Sequence, residues 1–298
     1  IKEIILNYYS MSNKDLLDSI KKLREITGVG FKDCKAALDE TKGNIDKSIE
    51  FLRKKGIAKA SKKLSRTSSE GLILTKEEGG QISIIEINCE TDFVAKNKDF
   101  IIFCKELSDI SFMAKGDLNK IKDSKMTNGI FVKDNLVNLI ARIGENITIR
   151  RAKFFDNNNG NNFSYVHSAI DKGIGKIISI VKLSGVDKGK NDEIGIKIAM
   201  HIAASNPLAI NKDNIEKNTI DKELEIIKAE IVNSGKPVEM AEKISKGKIS
   251  KFLNDNSLMS QIWIMDPKKK VSDILKENIT DKPLKVIDLV SYKVGEGI

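Results

Sequence analysis

The sequence predicts an α+β protein that begins with a bundle of three helices and continues into a mixed core. Three observations lead to this prediction. Residues 14–55 carry three apolar stripes with helical spacing, residues 53–69 are basic, and from Gly71 onward the apolar residues follow the pattern of β-strands. A succession of hairpin, loop and helix then occurs twice, so we expect a core of two related α+β subdomains with an inserted antiparallel helical hairpin.

The composition narrows the class of protein before any motif is considered. The length of 298 residues allows two or three domains, and an apolar fraction of 40% is enough to bury real cores. The sequence has no run of about 18 apolar residues, so we expect no membrane span. Its three cysteines have no CxxC spacing, and Ile1–Ser10 lack the basic start and long apolar run of a secretion signal. These features favour a cytoplasmic location.

Residues 12–56 are predicted to form the three-helix bundle, and residues 1–11 are an extension with no assigned fold. The apolar stripes comprise Leu16, Ile20 and Leu23, then Phe31, Cys34 and Leu38, then Ile45, Ile49 and Leu52. The helices are separated at Thr27–Gly30 and at Gly43–Asn44, where glycine permits the open backbone of a helix end. Stripes so close in sequence can be buried only against one another.

A basic segment joins the bundle to the core. The third helix is predicted to continue into this segment and then to give way to a linker, which is assigned to residues 57–69. The net charge is +9, and seven basic residues with no acidic residue among them lie between positions 53 and 69. They are Arg53, Lys54, Lys55, Lys59, Lys62, Lys63 and Arg66. An alternative function is therefore RNA binding through residues 53–66. Because this run contains no aromatic residue for base stacking, we expect no specific nucleic acid as a partner.

Residues 70–156 are predicted to form the first core subdomain. Leu72–Leu74 and Ile82–Ile87 are rich in β-forming residues, and the glycines between them favour a hairpin. A helical stretch follows, and then an alternating strand over Ile147–Phe154. The polar, turn-rich segment Asp156–Asn162 indicates a subdomain boundary.

Residues 163–298 are predicted to form the second core subdomain. Its strands are predicted to open at Tyr165–His167, to cover Lys176–Leu183 and to cover Val286–Val294. Residues 212–253 have the pattern of two helices broken at Ser234–Pro237, which is typical of an antiparallel helical hairpin inserted into the subdomain.

The sequence predicts no enzyme active site. The two histidines, His167 and His201, lie near neither each other nor a CxxC pair, and His201 on its apolar helix is interpreted as structural. No GxSxG motif occurs, and the pair Gly175-Lys176 lacks the Ser or Thr of a phosphate loop. We therefore expect no catalytic residue, no cofactor and no metal.

Several stretches carry a resemblance to one family. Leu23–Leu38, continuing to Gly56, strongly resembles the N-terminal module of the elongation factor Ts family, and Ile87–Asn97 resembles that family's core segment around a Thr-Asp-Phe triplet. Four more segments follow in the family's order, namely Ile143–Ile147, Ile198–Ala204, Ser234–Pro237 and Val294–Gly297. The resemblance spans about residues 12–298. It implies that the N-terminal bundle has the ubiquitin-associated three-helix fold.

The resemblance implies a guanine-nucleotide exchange factor rather than an enzyme. Its partner would be elongation factor Tu, a translational GTPase that it binds in both the GDP-bound and the nucleotide-free form. Such a factor promotes release of GDP and stays bound until GTP rebinds. Because it binds the nucleotide-free GTPase more tightly, it weakens GDP binding by the same factor.

The resemblance also implies contact residues. In the family, the aspartate and phenylalanine of the core segment enter the GTPase near its nucleotide and magnesium site, and here they are Asp92 and Phe93, with Thr91 and Val94 beside them. On spacing alone, Phe93 fits a core position of the following helix equally well. The other implied contacts are Arg24, Phe31, Lys32, Lys35, Lys63, Ile143, Gly144 and His167. The alternative is a solvated surface for the residues of the module and for Lys63, and a structural role for His167.

Two further hypotheses remain open at this stage. The 212–253 hairpin resembles the coiled-coil protrusion that serves dimerisation in some family members, so a homodimer through it is one hypothesis. The other is a ubiquitin-type adaptor that acts through the helical bundle, although this leaves residues 70–298 without a role.

Overall fold

The structure, a computed structural model, describes residues 13–27, 29–185, 189, 192–233, 238–279 and 282–298. It is an α+β protein in which helices precede a core of helices and strands, as predicted. The chain divides into two compact units, the first with residues up to Leu74, 83–153 and 294–298, and the second with 75–82 and 154–293. The extension 1–11 and the break at Ser234–Pro237 lie outside the described residues. The domain boundaries expected from the sequence stay predictions.

Three helices form the N-terminal bundle, namely α1 (Asn13–Thr27), α2 (Phe31–Glu40) and α3 (Ile45–Ser61). Their buried core comprises Ile20, Leu23, Cys34, Ala37, Leu38 and Leu52, most of which belong to the predicted stripes. Asn44 caps α3, because its side-chain oxygen accepts a hydrogen bond from the Lys47 amide at 2.9 Å. The prediction of three short helices packed on one another is confirmed.

Helix α3 continues into the basic segment, as the sequence predicts. It extends to Ser61 and so includes the first part of the 57–69 segment that is assigned to the linker. The reason is packing against α7 (Val132–Ile143), because a Cβ atom added at Gly56 would lie 3.7 Å from the Val137 side chain. A helix with such a buried face is stabilised beyond its local propensity.

In the first sheet, β2 (Gln81–Cys89) lies between β1 (Glu70–Glu78) and β3 (Ile147–Phe155). A two-glycine turn joins β1 and β2 into the predicted hairpin. The helices α4 (Asp92–Ala95), α5 (Lys98–Met113), α6 (Leu118–Asp123) and α7 follow β2 and precede β3. Residues 82–89 of β2 are all buried, as expected for a central strand.

The second unit repeats this order of elements. β6 (Ile177–Ser184) lies between β4 (Asn161–His167) and β7 (Lys285–Lys293), and both pairings are antiparallel. The helices α8 (Asp192–Ser205), α9 (Lys217–Asn233), α10 (Val238–Asp255) and α11 (Val271–Glu277) lie between β6 and β7 in sequence. β2 is central in the first sheet and β6 is central in the second. In each unit, helices follow this central strand and precede the next strand, β3 or β7. The shared order confirms that the core consists of two related α+β subdomains.

The two-residue strand β5 (Ile174–Gly175) extends the first sheet beyond β1. It lies beside the part of β1 that belongs to the second unit, where the Thr75 amide donates a hydrogen bond to the Gly173 carbonyl at 2.8 Å.

The inserted helical hairpin consists of α9 and α10. Ile227 and Ile231 of α9 are buried, and Lys248 of α10 forms an ion pair with Glu230 of α9. These contacts hold the two helices side by side.

A buried histidine packs beneath the segment that follows the hairpin. His201 on α8 is fully buried and stacks on Trp263, with 5.1 Å between the ring centroids. Its Nε2 lies 3.0 Å from Gln261 Oε1, and its Nδ1 accepts a hydrogen bond from the Ile264 amide. Burial lowers the pKa of His201, and the Gln261 contact opposes this shift only in part. His201 is therefore structural, as the sequence predicts.

We expect His201 to make the free energy of unfolding depend on pH. Its folded pKa lies below the ordinary value of 6.5, so its contribution is present above pH 6.5 and is lost as the pH falls toward the folded pKa. In denaturant unfolding between pH 7.5 and 5.5, His201 should contribute at most about 1.4 kcal/mol per pH unit to the slope, the value for one proton. The variant His201→Gln should be less stable but should have a flatter slope, whereas the exposed His167→Gln should keep it. Equal slopes in all three proteins would contradict this assignment.

The last residues of the chain are bound in the first unit around a buried glutamate. Glu86 of β2 is fully buried and accepts a hydrogen bond from the Gly295 amide at 3.0 Å. Arg150 and Arg151 of β3 contact the same carboxylate at 3.0 and 2.6 Å, and Arg150 also donates to the Glu296 carbonyl. Burial alone would raise the pKa of Glu86, but the hydrogen bonds outweigh it and hold this pKa below its ordinary value. We call these five residues the Glu86 cluster.

Candidate functional site

The segment Thr91–Val94 forms a single helical turn directly after the central strand β2. Thr91 is the N-cap of α4, and its hydroxyl oxygen accepts a hydrogen bond from the Val94 amide at 3.4 Å. Asp92 follows in the first turn and forms a 2.8 Å ion pair with Lys96, four residues later. This ion pair raises the pKa of Lys96. Within the turn, the cap links Thr91 to Val94 and the ion pair links Asp92 to Lys96.

Phe93 lies on the outer side of this turn. Its side chain is 81% exposed, whereas Val94 and Ala95, which follow it, are buried. The alternative that Phe93 is a core residue of the following helix is therefore wrong, because the buried side of the turn is supplied by its two neighbours. A phenylalanine in this position contributes little to the stability of the isolated chain and is available to a partner.

Ile143 and Gly144 lie at the end of α7, and both are half-buried. Gly144 has a positive φ of 87° and closes the helix, because its amide donates to the Ile140 carbonyl at 2.8 Å. The next residue, Glu145, accepts hydrogen bonds from the Thr91 amide at 3.1 Å and from the Thr91 hydroxyl at 2.8 Å. The structure thus brings the segment around Thr91 into contact with the segment around Gly144, although the two lie far apart in sequence.

Sequence reasoning missed the acidic residues that join these segments. Glu145 contacts Thr91, and in the reverse direction Glu90 accepts a hydrogen bond from the Asn146 amide at 2.6 Å. The Asn146 side chain donates in turn to the Arg66 carbonyl at 2.8 Å. The sequence did contain one indication of their role. Glu90 and Glu145 are each the direct sequence neighbour of a predicted contact residue.

The predicted contacts on the N-terminal bundle lie on its surface. Arg24 is in the last turn of α1, Phe31 begins α2, and Lys32 and Lys35 follow on α2. All four are exposed, and Lys63, in the turn after α3, is half-buried. Exposure fits a partner contact and a solvated surface equally well, so the roles of these five residues stay predictions.

His167 differs from its predicted position. It is the last residue of β4, pairs with Ile177 and is exposed, whereas the sequence interpretation places it where a strand opens. The strand begins earlier, because the polar pair Asn161 and Asn162 is already in register with β6. The Nδ1 atom of His167 lies 3.2 Å from the Tyr165 hydroxyl. The polar composition of this segment hid its extended conformation.

Acidic residues from elsewhere in the chain neutralise much of the basic segment. Among the basic residues whose side chains the structure describes here, four form ion pairs: Arg53 with Asp134 at 2.9 Å, Lys54 with Glu50 at 2.7 Å, Lys55 with Asp33 at 3.0 Å and Arg66 with Glu90 at 3.5 Å. A run that contains no acidic residue in sequence is thus paired in space. This pairing reduces the charge that the segment offers to phosphate groups.

The part of the chain that the structure describes offers no cluster of three histidine, cysteine, aspartate or glutamate side chains suited to a metal ion. None of the helices described there is both long and apolar enough to cross a bilayer. The three cysteines are buried, and burial raises the pKa of the Cys34 and Cys104 thiols.

Comparison with known proteins identifies the family. The family model described as "Elongation factor TS" matches residues 90–296. The elongation factor Ts of Maricaulis maris is 39% identical over 285 residues, which cover 94% of this chain and 91% of that protein. Those of Methylobacterium nodulans and Clostridium kluyveri are each 40% identical, and each alignment covers 94% of this chain and 92% of the relative. The chain therefore belongs to the elongation factor Ts family.

Proposed function

We propose that the chain is a guanine-nucleotide exchange factor for elongation factor Tu. It binds the GDP-bound GTPase, promotes release of GDP and stays on the nucleotide-free form until GTP rebinds. The observation that carries this proposal is Phe93, an aromatic side chain that is 81% exposed on a turn whose other side is buried. Membership of the elongation factor Ts family supports the same function.

The proposed mechanism is differential binding and needs no catalytic side chain. A factor that binds the nucleotide-free GTPase more tightly than the GDP complex lowers GDP affinity by the same ratio. Burial of one phenylalanine is worth about 1.5–3 kcal/mol, and about 1.4 kcal/mol changes an affinity tenfold. Phe93 alone can therefore supply a large part of the coupling if its pocket opens only when GDP leaves.

Asp92 has a separate proposed role beside Phe93. Its carboxylate competes for the polar groups of the GTPase that otherwise order the magnesium shell of the nucleotide. In the isolated chain this carboxylate forms an ion pair with Lys96, whose side chain is largely exposed, while that of Asp92 is about half-exposed. An exposed pair of this kind is weak, so Asp92 can exchange Lys96 for a partner group at little cost.

The remaining contacts complete the proposal. We place the surface residues of the bundle, together with Lys63, Ile143, Gly144 and His167, at the interface with the GTPase. Their basic side chains would meet an acidic protein surface and speed the encounter. We further propose a cytoplasmic location and a homodimer through the α9–α10 hairpin.

Release of labelled GDP from elongation factor Tu tests the proposed function. Addition of the chain at micromolar concentration, with excess unlabelled GDP, should accelerate release well above the spontaneous rate. An unchanged rate would refute the proposal. A gel shift with RNA at physiological salt and a titration with ubiquitin test the two other hypotheses, and we expect only weak, salt-sensitive RNA binding.

A further inference from the structure

Two glutamates cross-link the segments that flank the exposed turn. Glu145 accepts hydrogen bonds from the amide and the hydroxyl of Thr91, and Glu90 accepts one from the amide of Asn146. Each carboxylate thus binds the residue that directly follows the other glutamate. We call this arrangement, which joins Glu90-Thr91 to Glu145-Asn146, the reciprocal clamp.

The turn that carries Phe93 cannot hold its own conformation. Helix α4 has only four residues, and a helix this short is unstable without external contacts. On its inner side it is held by the buried side chains of Val94 and Ala95. At its start it is held by Thr91, whose hydroxyl donates to Glu145 and accepts from the Val94 amide. The direction of Phe93 therefore depends on where Glu145 holds Thr91.

The clamp is built from strong hydrogen bonds in a partly buried place. Hydrogen bonds to a carboxylate are about twice as strong as those between neutral groups. The Glu90 side chain is only 19% exposed, and it also contacts Arg66 at 3.5 Å. Two such links, formed in opposite directions, restrain both the position and the orientation of the turn.

We infer that Glu145, supported by Glu90, is a positioning residue for Asp92 and Phe93. This inference rests on the proposed function. Glu145 contacts the cap of the turn rather than either of the two residues that enter the GTPase, so it acts through Thr91. Without it, Phe93 keeps its exposed side chain but loses its fixed direction, and a misplacement of about 1 Å can cost about a hundredfold in rate.

A double-mutant cycle in the GDP-release assay tests the inference. Glu145→Ala should lower the maximal rate at saturating factor by about tenfold or more, with little change in the half-saturating concentration, because most of the interface remains. In the Phe93→Ala background the same substitution should have a much smaller effect, since only Asp92 is left to misplace. A merely structural role would reduce the rate equally in both backgrounds.

The matched control is Asp117→Ala. Asp117 caps α6 in the same unit and accepts hydrogen bonds from the Asn119 and Lys120 amides, so its loss also removes a capping carboxylate. The rate of GDP release should be the same in this variant as in the wild type. Glu145→Gln keeps one acceptor oxygen for Thr91 and should fall between the wild type and Glu145→Ala, which also provides a conservative variant if the alanine protein folds poorly.

Amide hydrogen exchange of residues 91–95 in the isolated chain gives a readout independent of the GTPase. Protection should fall in Glu145→Ala and should remain in Asp117→Ala. If the wild type and Glu145→Ala release GDP from the GTPase at the same rate, the positioning role is overturned and the proposed function is not. Unchanged amide protection of residues 91–95 in Glu145→Ala would have the same meaning. A wild type without activity on the GTPase would overturn the proposed function and, with it, the positioning role.

Discussion

Replacement of Phe93 by alanine should lower the rate of GDP release from elongation factor Tu by about 10- to 100-fold at equal factor concentration. This is the effect expected when about 1.5–3 kcal/mol of apolar contact with the partner is lost. The isolated chain should unfold at the same denaturant concentration as the wild type, because Phe93 is 81% exposed and packs little within the chain. Stopped-flow fluorescence with labelled GDP and urea unfolding measure the two quantities.

Met113→Ala is the matched control for this prediction. Met113 lies at the end of α5 in the same unit, and it is 82% exposed, so this apolar residue is exposed to the same fraction as Phe93. Its removal should leave GDP release unchanged. If Phe93→Ala exchanges nucleotide as fast as Met113→Ala and the wild type, Phe93 does not enter the GTPase and the proposed mechanism fails.

Replacement of Glu86 by alanine should destabilise the chain by about 3–5 kcal/mol. Removal of this carboxylate leaves Arg150 and Arg151 without their buried partner and leaves the Gly295 amide without its acceptor. The loss of one member of a buried ion pair costs this much because the remaining charge is poorly solvated. Urea unfolding followed by circular dichroism measures the change.

The contribution of Glu86 to the free energy of unfolding should also disappear at acidic pH. Because the folded pKa lies below the ordinary value of 4.5, the contribution is present above pH 4.5 and is lost as the pH falls through the folded pKa. Glu86→Ala should therefore flatten the loss of stability below pH 4.5. Glu50→Ala is the control, since Glu50 forms an exposed ion pair with Lys54 and its removal should change stability little. Equal stability of the two variants would show that the Glu86 cluster contributes no more than a surface pair.

Much of the fold can be predicted from local patterns in the sequence. The stripes of the bundle, the hairpin of β1 and β2 and the insertion of α9 and α10 all appear in the structure, because each depends on spacing within one segment. The residue at which α3 ends could not be predicted in this way. Its last turns are stabilised by the contact between Gly56 and α7, which lies far away in sequence.

The candidate site, too, could be predicted only where it depends on residues close together in sequence. Thr91 and Val94 form a cap that local sequence can indicate, but the hydrogen bonds from Thr91 to Glu145 join residues separated by 54 positions. No spacing rule reports a contact of that range. The same limit explains the basic segment, since Arg53 finds Asp134 only after the chain has folded.

The position of residues 294–298 has a consequence for how the protein is made. These residues belong to the unit that also contains the N-terminal helices, and Gly295 binds the buried Glu86 there. During synthesis the ribosome releases the N-terminal part first, so Glu86 and its two arginines acquire all their partners only after residues 294–298 have also emerged. We therefore expect the first unit of the nascent chain to stay loosely packed until residues 294–298 have left the ribosome, and to depend on chaperones in that interval.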